Sequence, residues 1–95
     1  MPPTYDVHAA DRLSKELSQL AARLDALIGR RAGRRQALLA APTSDNWQGG
    51  KRRAFEGEFA REQAALKDLL AAARSLKAGV DRATAQARAA HRNGQ

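Results

Sequence analysis

The chain has 95 residues, no cysteine, and only 4% aromatic residues. This size bounds it to one small domain and excludes a multi-domain enzyme. The lack of cysteine excludes a disulfide framework, a thiolate metal site and a thiol nucleophile. Lysine and arginine outnumber the acidic residues by 17 to 10, a net charge of +7 that raises nucleic acid or an acidic surface as partners.

The first half of the chain has the composition of a helix, rich in alanine, leucine, arginine, glutamate, glutamine and lysine. Pro42 disfavours helical conformation at the residue before it, so we predict helix 1 over about 7–40. Gly29 and Gly33 lower helix propensity by about 1 kcal/mol each, and they predict a bend or a frayed turn. Leucines recur at the 3.5-residue period of a coiled-coil seam, at Leu13, Leu17, Leu20, Leu24 and Leu27.

A turn is predicted over about 41–50, because Pro42 is followed by four polar residues, a tryptophan and the Gly49–Gly50 pair. Helix 2 is then expected over about 51–91, with a short tail at 92–95. Its seam has Glu62 as the one charged position. The apolar seam positions are Phe55, Phe59, Leu66, Leu69, Ala73, Leu76, Val80, Ala83 and Ala87.

The two seams predict an all-α fold, an antiparallel two-helix hairpin that forms one domain over 1–95. Facing residues then have numbers that sum to about 93, which sets Arg31 opposite Glu62 and centres the turn beside Trp47. A shift of seven residues also aligns both seams, so the register stays open. Because one hairpin has a thin core, we expect a second one to complete a four-helix bundle, as a homodimer or a heterodimer.

The turn carries Trp47-Gln48-Gly49, and the chain opens with Tyr5-Asp6-Val7 ahead of the leucine seam. In these features and in its length, the chain resembles the WxG family of small type VII (ESX) secretion proteins of actinobacteria and Gram-positive bacteria. The resemblance implies pairing with a related WxG-type protein, export without a cleaved signal peptide and engagement by a membrane-bound secretion ATPase.

The resemblance also implies a role: a secreted substrate, or a chaperone-like partner of one, including a larger secreted substrate. The proposed working residues are Trp47 and Gly49, with Phe55 and Phe59 supporting the tip of the hairpin. The alternative for Trp47 is a structural one, in which the indole plugs the end of the hairpin.

Several features bear on localisation. No apolar run approaches the roughly 20 residues that span a bilayer, and the start lacks the basic and apolar regions of a signal peptide, so we expect neither segment. The tail lacks the Tyr-x-x-x-Asp/Glu signal that many family members carry. We therefore expect a partner chain to supply it, with the protein secreted by the type VII pathway or cytoplasmic as a partner before export.

Positive charge is concentrated around the turn. Nucleic acid, anionic lipid and an acidic protein all fit this basic tip, and a basic helical nucleic-acid-binding protein is the competing functional hypothesis. The other interpretation is a solvated tip that is partly neutralised by the glutamates of helix 2. The seven residues of the basic tip are Arg30, Arg31, Arg34, Arg35, Lys51, Arg52 and Arg53.

Catalytic chemistry is poorly represented, with two histidines near opposite ends of the chain and serines at ordinary helix or turn positions. The carboxylates fall at helix-surface spacing beside lysine or arginine, as with Asp11 and Lys15. The sequence therefore predicts no enzyme, no catalytic or metal-binding residue and no cofactor.

Overall fold

The structure is a computed structural model that describes residues 5–40 and 49–93. It contains two antiparallel helices, α1 over Val7–Ala40 and α2 over Gly50–Asn93, and no strand within those residues. The all-α helical hairpin expected from the sequence is therefore what forms. Compared with the expected bounds of 7–40 and 51–91, α2 begins one residue earlier and ends two residues later.

Each helix is preceded by a capping residue whose carbonyl accepts the first backbone hydrogen bond of the helix. Asp6 caps α1, because its carbonyl accepts from the Ala10 amide at 3.0 Å and its carboxylate accepts from the Ala9 amide at 3.0 Å. The carbonyl of Gly49 accepts from the Arg53 amide at 3.2 Å, so Gly49 caps α2. Its φ of 62° lies in the left-handed region that favours glycine.

The register of the hairpin is fixed by polar contacts between the helices. Arg31 Nη2 lies 2.9 Å from Glu62 Oε1, which confirms the predicted pair. Arg35 Nη2 also contacts Glu56 Oε1, at 2.8 Å. A shift of seven residues would bring Phe55 or Leu69 opposite Arg31 in place of Glu62, so the structure has the register that gives this guanidinium a carboxylate.

Helix α1 continues without a break through Gly29 and Gly33, so the predicted frayed turn is absent. An added Cβ at either glycine would meet no heavy atom within 4 Å. Neither glycine therefore allows a close approach of α2. Their effect is confined to the lower helix propensity of the residue itself.

The molecule is a rod measuring 74 × 19 × 15 Å. Its Cα radius of gyration is 21.3 Å, whereas a compact domain of this length would have about 12 Å. The chain exposes 7389 Å², against about 5,400 Å² for a compact monomer of this mass. The excess of about 2,000 Å² arises because each helix has one neighbour only.

The interior is a narrow line between the two helices, and no side chain among the described residues is fully buried. Its buried apolar members are all alanine or leucine. Two polar residues, Gln63 and Thr84, share this interior. The buried apolar residues are Ala10, Leu17, Leu24, Leu70 and Ala73.

Candidate functional site

The residues of the predicted seam fall into two groups, one packed between the helices and one exposed at the surface. Leu17 and Leu24 are buried between the helices, and Leu27, Leu66 and Val80 are half-buried. The rest of the predicted seam leucines are outside the interior, with exposures of 41% for Leu13, 39% for Leu20, 50% for Leu69 and 54% for Leu76. The reason is geometric: the contact line of α1 passes through Leu17 and Leu24, and Leu13 and Leu20 lie beside it.

The exposed leucines lie along one side of the rod. Leu13 and Leu76 line the same shallow groove, and Leu38 lines another near the tip with Phe55. Residues seven apart share a helix face, so the remaining two continue the same side. We call this side the leucine face: Leu13, Leu20, Leu38, Leu69 and Leu76.

The side opposite the leucine face is charged. Arg88 Nη2 lies 2.7 Å from Asp11 Oδ2, and Lys77 Nζ lies 2.7 Å from Asp81 Oδ2. Ser14 Oγ donates to Asp81 Oδ1 at 2.6 Å. The hydrogen bonds from Lys77 and from Ser14 hold the pKa of Asp81 below its ordinary value of 3.8. Exposed pairs of this kind add little stability, but they keep this side solvated.

A polar layer interrupts the apolar interior near the tip. Gln63 is 7% exposed, and its Oε1 accepts from Arg31 Nε at 2.8 Å. Its Nε2 donates to the Ile28 carbonyl at 3.1 Å. Both the oxygen and the nitrogen of the buried Gln63 amide therefore have a hydrogen-bond partner on α1. Sequence reasoning missed Gln63, because its neighbour Glu62 fits the seam equally well.

The aromatic residues predicted to support the tip do pack together. The rings of Phe55 and Phe59 stack with centroids 6.2 Å apart. The guanidinium of Arg31 lies 5.4 Å from the centroid of Phe59, and that of Arg35 lies 5.7 Å from it. Phe59 is thus held between arginines that are themselves paired with glutamates, which makes this cluster a structural part of the hairpin.

The basic tip divides into two groups. Arg31 is paired with Glu62 and Arg35 with Glu56. These two pairs agree with the interpretation that the glutamates of helix 2 partly neutralise the tip. The other five make no ion pair among the described residues. We call these five the unpaired cations: Arg30, Arg34, Lys51, Arg52 and Arg53.

The Trp-x-Gly segment is only partly described. Trp47 and residues 41–48 of the turn predicted over about 41–50 lie outside the described residues, and Gly49 is the residue of the motif that lies within them. Its left-handed φ and its carbonyl cap give it a structural role at the start of α2. The resemblance assigns Gly49 to a recognition motif, and the cap explains the same residue by local geometry.

A second polar contact closes the far end of the hairpin. The hydroxyl of Tyr5 lies 2.7 Å from Thr84 Oγ1, which also donates to the Val80 carbonyl at 2.8 Å. Thr84 is 4% exposed. The sequence signal for it was weak, because a threonine within an alanine-rich helix usually points to solvent.

Two further kinds of site are absent from the described residues. No group of three or more histidine, cysteine or acidic side chains comes together as metal ligands there. Neither helix, within the same residues, combines the length and apolar character needed to cross a membrane. Comparisons of the chain with protein-family models, with curated proteins and with solved structures found no match.

Proposed function

We propose that the protein is a small non-enzymatic component of a type VII (ESX) secretion system. It acts as a secreted substrate, or as the chaperone-like dimer partner of one. In this proposal the leucine face pairs with a second hairpin to form a four-helix bundle, and the Trp-x-Gly end is presented to the secretion ATPase or to a larger substrate.

The observation that carries the proposal is the leucine face. A stable protein interface buries about 800 Å² on each partner, and one long side of a rod that measures 74 × 19 × 15 Å is large enough to supply it. Five leucines exposed along one side of a two-helix rod are typical of a surface that another helical protein covers.

The Trp-x-Gly segment supports the secretion role in particular. A tryptophan between two helices is a suitable anchor for a partner's pocket, since aromatic side chains dominate the affinity of many interfaces. In the sequence, the segment lies between the end of α1 at Ala40 and the cap of α2 at Gly49. A recognition element in this place would leave the leucine face free for pairing.

The proposal is tested by export from a host strain with an intact type VII system. Wild-type protein, or a partner that co-purifies with it, is expected in the culture medium, and loss of the secretion ATPase should prevent this. Trp47→Ala is expected to reduce export at least about tenfold, because it removes the anchor while the helices remain folded.

Gln48→Ala is the matched control, since it changes the neighbouring residue of the same segment and should be exported normally. Circular dichroism of both purified variants checks that helix content is unchanged. Export that is independent of the ATPase, or equal export of the Trp47 and Gln48 variants, would contradict the proposal.

A further inference from the structure

The unpaired cations are all exposed and lie at the turn end of the two helices. Of the acidic residues in the first four turns of α2, Glu56 and Glu62 are already engaged by Arg35 and Arg31. Among the described residues this leaves Glu58 as the one acidic side chain of that segment without an ion pair. The first turn of α2 contains no acidic residue. Among the described residues, the positive charge of this end is therefore largely unneutralised.

The unpaired cations are spread along the rod. The contact between Arg35 and Glu56 places these two residues at the same level. Arg30 lies five residues from Arg35 on the side away from the turn, and Lys51 lies five residues from Glu56 on the side toward it. At 1.5 Å per residue, the cations extend over about 15 Å of the long axis.

This distribution favours a linear polyanion. A nucleic-acid duplex carries about one negative charge per 1.7 Å of its axis, so 15 Å of duplex offers more phosphates than five cations neutralise. Four of the five cations are arginines, whose planar guanidinium groups bind phosphate in a bidentate manner.

We propose that the unpaired cations bind the phosphate backbone of double-stranded nucleic acid without sequence preference. Arg34 lines the same groove as Leu38 of the leucine face, and the other four unpaired cations do not line it, so a paired hairpin retains those four. A four-helix bundle of two copies would present two such surfaces. This binding activity does not depend on secretion and can be tested without it.

The test uses fluorescence anisotropy of a labelled 20-base-pair DNA duplex with the full chain. Binding is expected at low salt, and the association constant should fall with salt with a logarithmic slope of about −4, as about five phosphate contacts predict. The combined variant Arg30→Gln, Arg34→Gln, Arg52→Gln and Arg53→Gln keeps only Lys51 of the five, so it should bind at least tenfold more weakly and should have a slope of about −1.

The matched control removes the same charge elsewhere: Arg12→Gln, Arg23→Gln, Arg74→Gln and Arg82→Gln. It should keep affinity within about threefold of the wild type, and helix content by circular dichroism should match in all three proteins. Duplexes of different sequence should bind alike.

Three outcomes would overturn the inference. One is no binding to the duplex in 20 mM salt. The second is an equal loss of affinity in the tip variant and in the control variant, which would assign binding to net charge. The third is binding of the tip to phosphatidylserine-containing vesicles but not to the duplex, which would assign the surface to a membrane.

Discussion

A buried amide is one of the polar groups that determine how the two helices align. Gln63 contacts Arg31 and the Ile28 carbonyl, and both contacts require the register seen here. Apolar side chains pack in several registers, whereas a buried amide without partners is unfavourable by about 1–3 kcal/mol. Gln63 therefore contributes more to the choice of register than to stability, as polar residues in coiled-coil seams do.

The role of Gln63 leads to a prediction that separates stability from register. Gln63→Ala should lower the free energy of unfolding by about 1–3 kcal/mol, because it leaves a void and removes both contacts. Gln63→Leu should restore most of this stability, because leucine fills the interior. Urea unfolding followed by circular dichroism measures both changes.

Register is measured with spin labels at Ala22→Cys and Ala71→Cys, two exposed positions in a chain that has no native cysteine. The wild type should give one narrow distance distribution. The Gln63→Leu variant should add a second population, since a slip of seven residues moves the labels by about 10 Å along the axis. A single narrow distance in both proteins would show that Gln63 does not select the register.

At the scale of the helices, the start of α2 depends on the conformation of one residue. Gly49 has a φ of 62°, which side chains other than glycine rarely adopt, and its carbonyl begins the helix. An added Cβ there meets no atom within 4 Å, so a substitution is strained by the backbone alone. This distinguishes Gly49 from its neighbour Gly50, which also has open space but is the first residue of α2 and has no left-handed φ.

We therefore expect opposite effects of the same substitution at two adjacent positions. Gly49→Ala should destabilise the hairpin by about 1–2 kcal/mol, the strain of a left-handed residue. Gly50→Ala should stabilise it by about 0.5–1 kcal/mol, because alanine favours the helix. Urea unfolding of the two variants measures the difference, and equal changes would contradict a role of Gly49 as a left-handed cap.

At the scale of the molecule, the leucine face predicts that stability depends on pairing. Leu20→Lys combined with Leu69→Lys should weaken self-association, or association with a partner hairpin, at least about 100-fold, because each leucine contributes about 1.5–3 kcal/mol when buried. Ala22→Lys combined with Ala71→Lys adds the same charge on the other side and is the control. Sedimentation equilibrium across a concentration range measures the association.

If the leucine and alanine variants sediment alike, the leucine face is not the pairing surface. A wild-type chain that stays monomeric, alone and with every co-encoded partner tested, would also contradict pairing through this face. Circular dichroism checks that the leucine variant keeps its helix content. We expect it to do so, because both changed side chains are exposed in the single hairpin.

The sequence predicts much of this architecture because helix propensity, the proline and the paired 3.5-residue periods all act locally. The same periods predicted the contact of Arg31 with Glu62. They did not predict which leucines face inward, since the leucines of α1 occupy two neighbouring lines and only the contact with α2 selects one. Gln63 and Thr84 were missed for a related reason: their burial depends on partners that are distant in the chain.

The separation of a leucine side from a charged side limits how many copies can assemble. Once two hairpins bury their leucines against each other, both outward sides carry the ion pairs of Asp11, Asp81 and their partners, which offer nothing for a third copy to cover. If the proposed bundle forms, we therefore expect growth to stop at a closed pair, without fibres or sheets at high concentration.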